Sequence, residues 1–236
     1  MQLTRAERDR AVRDTIAELT GGWGVPAART VRKRLTAQLE HAGGADVLAI
    51  GAGIAASPAM KARRARWVGW ELINKHPSAL GLLDLASVES LGAGNSTWDE
   101  VDGYALYISG AAWLRGRIRD ADVRRWTRSD DLWRRRAALV STVVLNTKAH
   151  GGSGDTKRTL DVARRLVDDR EDMVVKAMSW ALRSLVPWDR TAVENFLAEH
   201  ESRLAARVKR ETRTKLRTGK KNSRPAPGRR SRAASA

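Results

Sequence analysis

The stretch DLWRRRAALVSTV, residues 131–143, spaces its apolar residues three and four positions apart, which is typical of one face of an α-helix. Three further stretches share a related pattern: KARRARWVGWELI (61–73), STWDEVDGYALYI (96–108) and MVVKAMSWALRSL (173–185). With Arg66, Asp102, Arg136 and Lys176 set at one equivalent position, the successive steps are 36, 34 and 40 residues. Steps of this size are typical of helix-pair repeats of the HEAT type. The pattern predicts stacked helical repeats.

The rest of the chain fits the same architecture. It contains one Phe and two Tyr, and its β-branched runs are short. We therefore expect an all-α fold, an α-α superhelix (solenoid) of HEAT-like repeats whose inner helices form a concave, basic groove. Arg66, Arg136 and Lys176 would line this groove, with Asp102 as the single acid among them. A solvated helix face is the alternative interpretation of these four residues.

The basic charge is concentrated at the C-terminal end. The chain carries a formal net charge of +17, and from Arg203 onward it has 13 Lys and Arg against Glu211 alone. The last segment has too few apolar groups to offset the entropy of ordering. We expect one domain over residues 1–217 and a disordered basic tail over 218–236. The tail would bind polyanions through counterion release, or serve only as a solubilising extension.

Composition excludes several classes of protein. With no cysteine there is no disulfide framework and no thiolate site, and the four histidines are scattered. The first residues are charged, and no stretch approaches the roughly 18 apolar residues of a membrane span. We expect a cytoplasmic protein with no metal and no cofactor.

One short segment departs from the basic character of the chain. In NSTWDEVDGYAL (95–106), Trp98 and Asp102 are four residues apart and therefore project from the same face of a helix that Asn95 or Ser96 would cap. Trp180 would emerge on the same side from a later inner helix. An indole face attracts cations by up to about 2 kcal/mol when desolvated. Two indoles and a carboxylate predict a pocket for a positively charged group.

An alkylated DNA purine carries such a charge. When its N-glycosidic bond breaks, positive charge moves to the deoxyribose, as in glycoside hydrolysis. A carboxylate close to that sugar stabilises the new charge and orients the attacking water. Because the cationic base is already a good leaving group, no general acid is required.

At these residues the sequence resembles the bacterial DNA alkylation repair enzymes of the AlkD type. The resemblance rests on TWDEVD (97–102), WTRSDDLWRRRAAL (126–139) and VVKAMSWALR (174–183), in that order, and covers roughly residues 58–217. It implies an alkylpurine DNA glycosylase built from HEAT-like repeats. Such an enzyme would excise cationic lesions such as 3-methyladenine and 7-methylguanine from double-stranded DNA without base flipping. It would act as a monomer in base excision repair, in the bacterial cytoplasm and associated with the nucleoid.

The resemblance also implies roles for particular residues. Trp98, Asp102 and Trp180 would form the catalytic cleft, and Arg136 and Arg183 would contact the DNA backbone. The first 57 residues do not match the family's N-terminal DNA contacts, so none is nominated there. The basic tail is an addition to the family pattern.

Two glycine-rich stretches imitate nucleotide-binding motifs. VLAIGAGIAAS (47–57) resembles a dinucleotide fingerprint, but no second strand follows, so close helix packing is the better interpretation. GGSGDTKRT (151–159) lacks the Gly-Lys-Ser/Thr of a phosphate loop and is interpreted as a flexible connector.

Two other functions remain open. One is a non-catalytic repeat protein that binds bent or branched DNA through Arg66, Arg136, Lys176 and the tail. The other is a scaffold for an acidic protein partner.

Overall fold

The computed structural model describes residues 2–22 and 24–220. Within these residues the chain is helical and has no β-strand, which confirms the all-α prediction. The first helices are α1 (Arg5–Gly21), α2 (Val25–Gln38), α3 (Gly44–Ala56), α4 (Pro58–Ala62), α5 (Trp67–Lys75), α6 (Pro77–Gly81) and α7 (Leu85–Gly92). They are followed by α8 (Trp98–Tyr104), α9 (Gly110–Leu114), α10 (Asp120–Trp126), α11 (Leu132–Leu145), α12 (Thr156–Arg165), α13 (Asp172–Leu185), α14 (Arg190–Glu199) and α15 (Ala206–Thr218).

One set of helices stacks in chain order and forms what we call the stacked row. Its members are α1, α3, α5, the continuous helix from α8 to α9, α11, α13 and α15, and each contacts the next. The intervening helices pack against the flanks of this row. The result is a solenoid of helical repeats, as the spacing of the four related stretches predicts.

The repeat is visible in the polar contacts between neighbouring units. Side-chain hydrogen bonds join residues 33 to 37 positions apart along much of the chain: Asn74–Tyr107, Asp102–Arg136, Arg124–Asp161, Arg135–Asp169 and Arg207–Asp172. Each bond therefore links one repeat to its successor. The regular separation of these hydrogen-bonded partners explains why a period near 35 residues can be recognised in the sequence.

The helix that carries the candidate site is interrupted by a π-helical segment, Ala105–Ser109, between α8 and α9. At the start of this helix Asp102 contacts Arg136 of α11, and further along Ser109 Oγ lies 2.8 Å from Ser141 Oγ of the same helix. Because both pairs advance together along the two helices, α8–α9 and α11 run parallel. Their N-terminal ends therefore lie side by side.

Close packing within the stacked row depends on small residues. A Cβ added at Gly69 would lie 2.2 Å from the carbonyl oxygen of Gly51, and one added at Gly51 would lie 2.5 Å from the side chain of Ile73. Only glycine allows α3 and α5 to approach so closely. The structure thus confirms helix packing as the role of the GAGIAAS stretch.

Most tryptophans outside the candidate site pack in or against the core. Trp70, Trp113 and Trp126 are fully buried, while Trp67 and Trp133 pack against the core from its edge. Trp188 is 37% exposed and donates a hydrogen bond from Nε1 to the carbonyl oxygen of Asn146. Trp23 lies outside the described residues.

The connector at 151–155 is ordered, contrary to the prediction of a flexible segment. A Cβ at Gly152 would lie 2.1 Å from the carbonyl oxygen of Val144. Gly154 adopts a φ of +90° against the ring of Trp188, and Asp155 caps α12 by accepting a bond from the amide of Arg158. These glycines serve close packing and a left-handed turn, so their abundance does not signal mobility.

Helix α15 ends at Thr218, one residue beyond the boundary expected for the domain. Residues 221–236 of the expected basic tail lie outside the described residues. None of the helices within the described part of the chain combines the length and apolar character needed to traverse a lipid bilayer.

Candidate active site

Asp102 is held by Arg136 in a two-pronged ion pair. The Nε atom of Arg136 lies 3.0 Å from Oδ1 of Asp102, and Nη2 lies 2.8 Å from Oδ2. The Asp102 side chain is 13% exposed and that of Arg136 is 6% exposed, so the pair is largely shielded from water. A bidentate guanidinium fixes both the position and the orientation of a carboxylate.

The third nitrogen of Arg136 reaches across to the next helix. Its Nη1 donates a hydrogen bond to the carbonyl oxygen of Met173 at the start of α13. Arg136 therefore links α8, α11 and α13 at the same end of the stacked row. The ion pair lies inside the row and not on the flanking helices.

Burial and charge act in opposite directions on the Asp102 carboxyl. Desolvation raises its pKa above the ordinary value for aspartate, and the hydrogen bonds and charge of Arg136 oppose that rise. The negative charge of Asp99 adds a smaller upward contribution. Arg136 is thus the group that keeps a poorly solvated carboxylate in its charged form.

Trp98 is the exposed aromatic residue of this site. It is the first residue of α8 and is 52% exposed, which is unusual for an indole in a folded chain. One turn of helix separates it from Asp102, so both project from the same side of α8. An accessible indole face next to a shielded carboxylate matches a flat or cationic ligand.

Trp180 lies on α13 and is partly buried, packed against the core. It is seven residues after Met173, whose carbonyl receives the Arg136 bond, so the two residues lie on the same side of α13, two turns apart. Trp180 is therefore a more firmly fixed ring than Trp98.

Comparison with known proteins bears on this arrangement. The sequence model described as DNA alkylation repair enzyme matches residues 13–216. The chain belongs to the DNA alkylation repair enzyme family. Searches among curated proteins and among solved structures found no match to this chain.

In this DNA alkylation repair family member, Arg66 lies inside the protein, which corrects its expected place along an open groove. Its side chain is 7% exposed. Its Nε donates to the carbonyl of Ala55 at 2.7 Å, Nη1 donates to Asn95 Oδ1 at 2.6 Å, and Nη2 donates to the carbonyls of Leu91 and Ala93. Burial lowers the pKa of its guanidinium. Its donors are committed to holding the 91–95 loop, and a phosphate would have to displace these bonds.

Arg136 also differs from its expected environment. It was nominated as a backbone contact on an exposed groove, but its side chain is buried and its donors are engaged by Asp102 and Met173. A direct contact with DNA would require one of these bonds to be shared or broken. The role that its geometry serves is orientation of Asp102.

Lys176 and Arg183 occupy intermediate positions on α13. The Nζ atom of Lys176 lies 2.6 Å from Asp172, and the lysine side chain is 41% exposed. Arg183 is 12% exposed, donates to Ser179 Oγ at 3.1 Å and lies 3.7 Å from Glu211 of α15. Of the four nominated DNA contacts, Lys176 is the one whose ion pair lies at the surface.

The start of α8 is capped differently from the sequence expectation. Thr97 is the N-cap residue and makes no side-chain capping bond, whereas Glu100 reaches back so that its Oε2 accepts a bond from the amide of Ser96 at 3.0 Å. Asn95, one of the two expected caps, accepts from Arg66 instead. This arrangement places a second buried carboxylate, 3.9 Å from Arg66, behind the exposed Trp98.

A cavity of about 290 Å³ lies on another side of α8. It is lined by residues of α7, α8, α10 and α11 and of the loops before α8 and α11, among them Glu89, Asn95, Tyr104, Trp126 and Trp133. Trp98, Asp102 and Trp180 are not part of its wall. The three nominated catalytic residues thus belong to a more open surface than this cavity.

Two residues near the site escaped the sequence analysis. Asp99 and Arg64 form a pair whose Nη1 and Oδ1 atoms are 3.8 Å apart, beside Trp98. Asp99 can be recognised in the TWDEVD motif as a second acid, but its partner Arg64 comes from the preceding repeat. Within the described residues, no group of three or more His, Cys, Asp or Glu side chains is arranged to hold a metal ion.

Proposed function

We propose that the protein is a monofunctional DNA glycosylase that hydrolyses the N-glycosidic bond of cationic alkylated purines in duplex DNA. The observation that carries the proposal is the shielded Asp102 carboxylate, held by Arg136 beside the exposed Trp98, in a chain of the DNA alkylation repair enzyme family. We infer that a single chain suffices, because every nominated group belongs to one polypeptide.

The reaction requires stabilisation of positive charge on the sugar. As the bond between C1′ and the alkylated purine breaks, the bonding electron pair leaves with the base, which becomes neutral, and C1′ acquires oxocarbenium character. The Asp102 carboxylate supplies a fixed negative charge at that point and accepts a hydrogen bond from the incoming water. Water adds to C1′, and its proton passes to solvent. No acid is needed to protonate the leaving base.

The surroundings of Asp102 favour this role over that of a proton donor. A carboxylate locked by two guanidinium bonds is oriented before the substrate arrives, so no reorganisation is required in the transition state. Its partial burial strengthens its interaction with a developing cation, because fewer water molecules screen the charge.

Trp98 and Trp180 would flank the deoxyribose and the backbone. Trp98 offers an accessible ring, and the more buried Trp180 offers a rigid one. Since the three residues lie outside the 290 Å³ cavity, the arrangement suits a lesion that stays within the duplex better than a base extruded into a pocket. The lesions that fit this chemistry include 3-methyladenine and 7-methylguanine, both of which carry the required charge.

The alternative is a non-catalytic repeat protein that binds bent or branched DNA. It relied on Arg66, Arg136, Lys176 and the C-terminal tail as a continuous basic lining. The inward position of Arg66 and the pairing of Arg136 with Asp102 remove much of that lining. A purely DNA-binding surface also gives no reason to fix a carboxylate beside an exposed indole.

The decisive experiment measures release of 7-methylguanine from methylated duplex DNA under single-turnover conditions. We expect Asp102→Asn to lower the rate constant at least about 100-fold, the scale for removal of one preorganised electrostatic group. Asparagine has the same shape but accepts from Arg136 through Oδ1 alone, because its amide nitrogen is a donor. We expect the variant to fold with reduced stability, which circular dichroism and urea denaturation will verify.

Asp99→Asn is the matched control, since it removes a neighbouring carboxylate from the same helix. It should retain a rate within about threefold of the wild-type value, because Asp99 has only a minor electrostatic influence on Asp102. Equal rates for wild type and Asp102→Asn would refute the proposed mechanism. Tight duplex binding without base release by the wild-type protein would favour the non-catalytic alternative.

A further inference from the structure

Arg64 has a backbone conformation that arginine rarely adopts. Its φ is +55°, and among the described residues it is the one non-glycine residue with a positive φ. In this left-handed region a side chain crowds its own backbone, so proteins usually place glycine or asparagine there. Such strain persists where another requirement outweighs it.

The strained position is the left-handed residue of a helix C-cap. The amide of Ala65 donates to the carbonyl of Met60 at 2.8 Å, and the amide of Arg64 donates to that of Lys61 at 3.0 Å. This pair of bonds is the Schellman motif, which terminates a helix through a left-handed residue.

The same motif recurs after α9 with glycine in the left-handed position. There the amide of Arg117 donates to the carbonyl of Ala112 at 2.8 Å, and Gly116, with a φ of +67°, donates to that of Trp113 at 3.1 Å. The fold thus uses the unstrained residue in an equivalent turn. An arginine after α4 calls for a separate explanation.

Contacts within the protein do not provide that explanation. Neighbouring cations of the same segment are anchored: Lys61 Nζ donates to the carbonyl of Gly94 at 2.7 Å, and Arg63 donates to that of Thr20 at 2.9 Å. Arg64 makes only the 3.8 Å approach to Asp99, beyond hydrogen-bond distance, and its side chain is 65% exposed. Asp99 is 24% exposed, but a contact beyond hydrogen-bond distance to a guanidinium that stays in water contributes little to stability.

The location of Arg64 indicates its use. Asp99 directly follows Trp98 and lies three residues before Asp102, so the Arg64 guanidinium lies at the edge of the candidate active site. An exposed guanidinium whose carboxylate partner is beyond hydrogen-bond distance can exchange that partner for a phosphate, which it binds through two parallel hydrogen bonds.

We propose that Arg64 is a DNA-backbone contact that positions the duplex at Trp98 and Asp102. When DNA binds, the Arg64 guanidinium moves away from Asp99 and binds a phosphate. The backbone strain is retained because the turn after α4 directs this side chain to the edge of the site. The proposal rests on the proposed function in that the bound duplex is the substrate.

The test compares Arg64→Gly with the wild-type protein in binding to an undamaged duplex over a range of salt concentrations. Glycine relieves the strain and removes the phosphate contact. We expect affinity to fall about threefold to tenfold at low salt, with the slope of log K against log salt reduced by about 0.9. The melting temperature should stay the same or rise by up to about 3 °C.

Two further variants separate contact from charge. Arg64→Lys keeps both the charge and the left-handed strain, and should keep the salt slope of the wild type. Arg115→Ala removes one exposed arginine about 24 Å away, at the other end of the helix that begins at Trp98, and should bind as the wild type does.

In single-turnover base release, Arg64→Gly should raise the half-saturating protein concentration and leave the saturated rate constant within about twofold of the wild-type value.

Unchanged affinity and salt slope in Arg64→Gly would overturn the proposal, as would a loss of affinity accompanied by a lowered melting temperature, which would indicate a structural role. These outcomes are distinct from failure of the glycosylase proposal. That failure would appear as duplex binding by the wild-type protein with no base release, and it would leave the binding comparison intact.

Discussion

Arg66 and Arg136, which the alignment of the four related stretches sets at one position, differ in place and in acceptors. Arg66 is the N-cap residue of α5, whereas Arg136 is the fifth residue of α11. Both are buried on the stacked row, and both use their guanidinium fork fully. Arg66 donates to Asn95 and to the carbonyl oxygens of Ala55, Leu91 and Ala93. Arg136 donates to the carboxylate of Asp102, which comes from the repeat between them, and to the carbonyl of Met173.

The difference shows that the role of each buried arginine depends on the groups that accept its hydrogen bonds. Carbonyl oxygens are fixed dipoles of the backbone, so Arg66 holds loop 91–95 in place and leaves no charged group available to a ligand. A carboxylate is a mobile side chain that needs a partner to stay charged when partly buried. Arg136 provides that partner, and the Asp102 side chain stays 13% exposed.

The largest expected effect concerns stability and should be similar at the two positions. Arg66→Gln leaves Glu100 without its counter-charge and several carbonyls without their donor, and Arg136→Gln leaves Asp102 without its counter-charge. Each should lower the free energy of unfolding by about 3–5 kcal/mol, measured by urea denaturation. A loss below about 1 kcal/mol at either position would mean that the buried arginine is not needed for the fold.

A second expected effect separates the two arginines through the pH dependence of base release. Asp102 acts in its ionised form, so activity should fall as pH decreases through its pKa, which burial raises above that of an ordinary aspartate. Arg136→Gln removes the charge that opposes this rise, and the acidic limb of the saturated rate constant should therefore move to higher pH.

Arg66→Gln should leave that limb in place once the fraction of folded protein is accounted for, since Arg66 does not contact Asp102. A limb that moves equally in both variants would indicate a general loss of structure. A limb that moves in neither would show that Asp102 protonation does not control the reaction.

The smallest expected effect concerns Lys176, which is the fifth residue of α13 as Arg136 is of α11. Its surface ion pair with Asp172 contributes little, so Lys176→Ala should change the free energy of unfolding by less than about 0.5 kcal/mol. If Lys176 contacts DNA, the slope of log K against log salt should decrease by about 0.9. Lys157→Ala, at the exposed start of α12, is the matched control and should leave the slope unchanged. A slope unaltered by Lys176→Ala would exclude this contact.

The glycine-rich segments show where sequence interpretation depends on neighbours. GAGIAAS and GGSGD both contain several glycines, and only the first was expected to be packed. In the structure both are packed, because the ring of Trp188, 34 residues after Gly154, lies over the second. Composition alone does not reveal such a partner from the next repeat.

The charged residues of the four related stretches indicated where the candidate site lies. They did not indicate which of these side chains form ion pairs with one another. Trp98 and Asp102 share a face because they are one helical turn apart, which follows from sequence. That Arg136 turns inward to Asp102, while Lys176 remains exposed, depends on how α8, α11 and α13 approach one another. Arg64 was missed because its backbone strain has no sequence signal.

By itself the sequence determined the helices, the period near 35 residues and the separation of Trp98 from Asp102, because these follow from spacing along one helix and from regular repetition. Only the tertiary structure decided which cationic side chains are engaged in contacts within the protein and which remain available to a ligand. The physical reason is that the partner of a charged side chain comes from the adjacent repeat, and the balance between desolvation and pairing is settled only when the repeats stack.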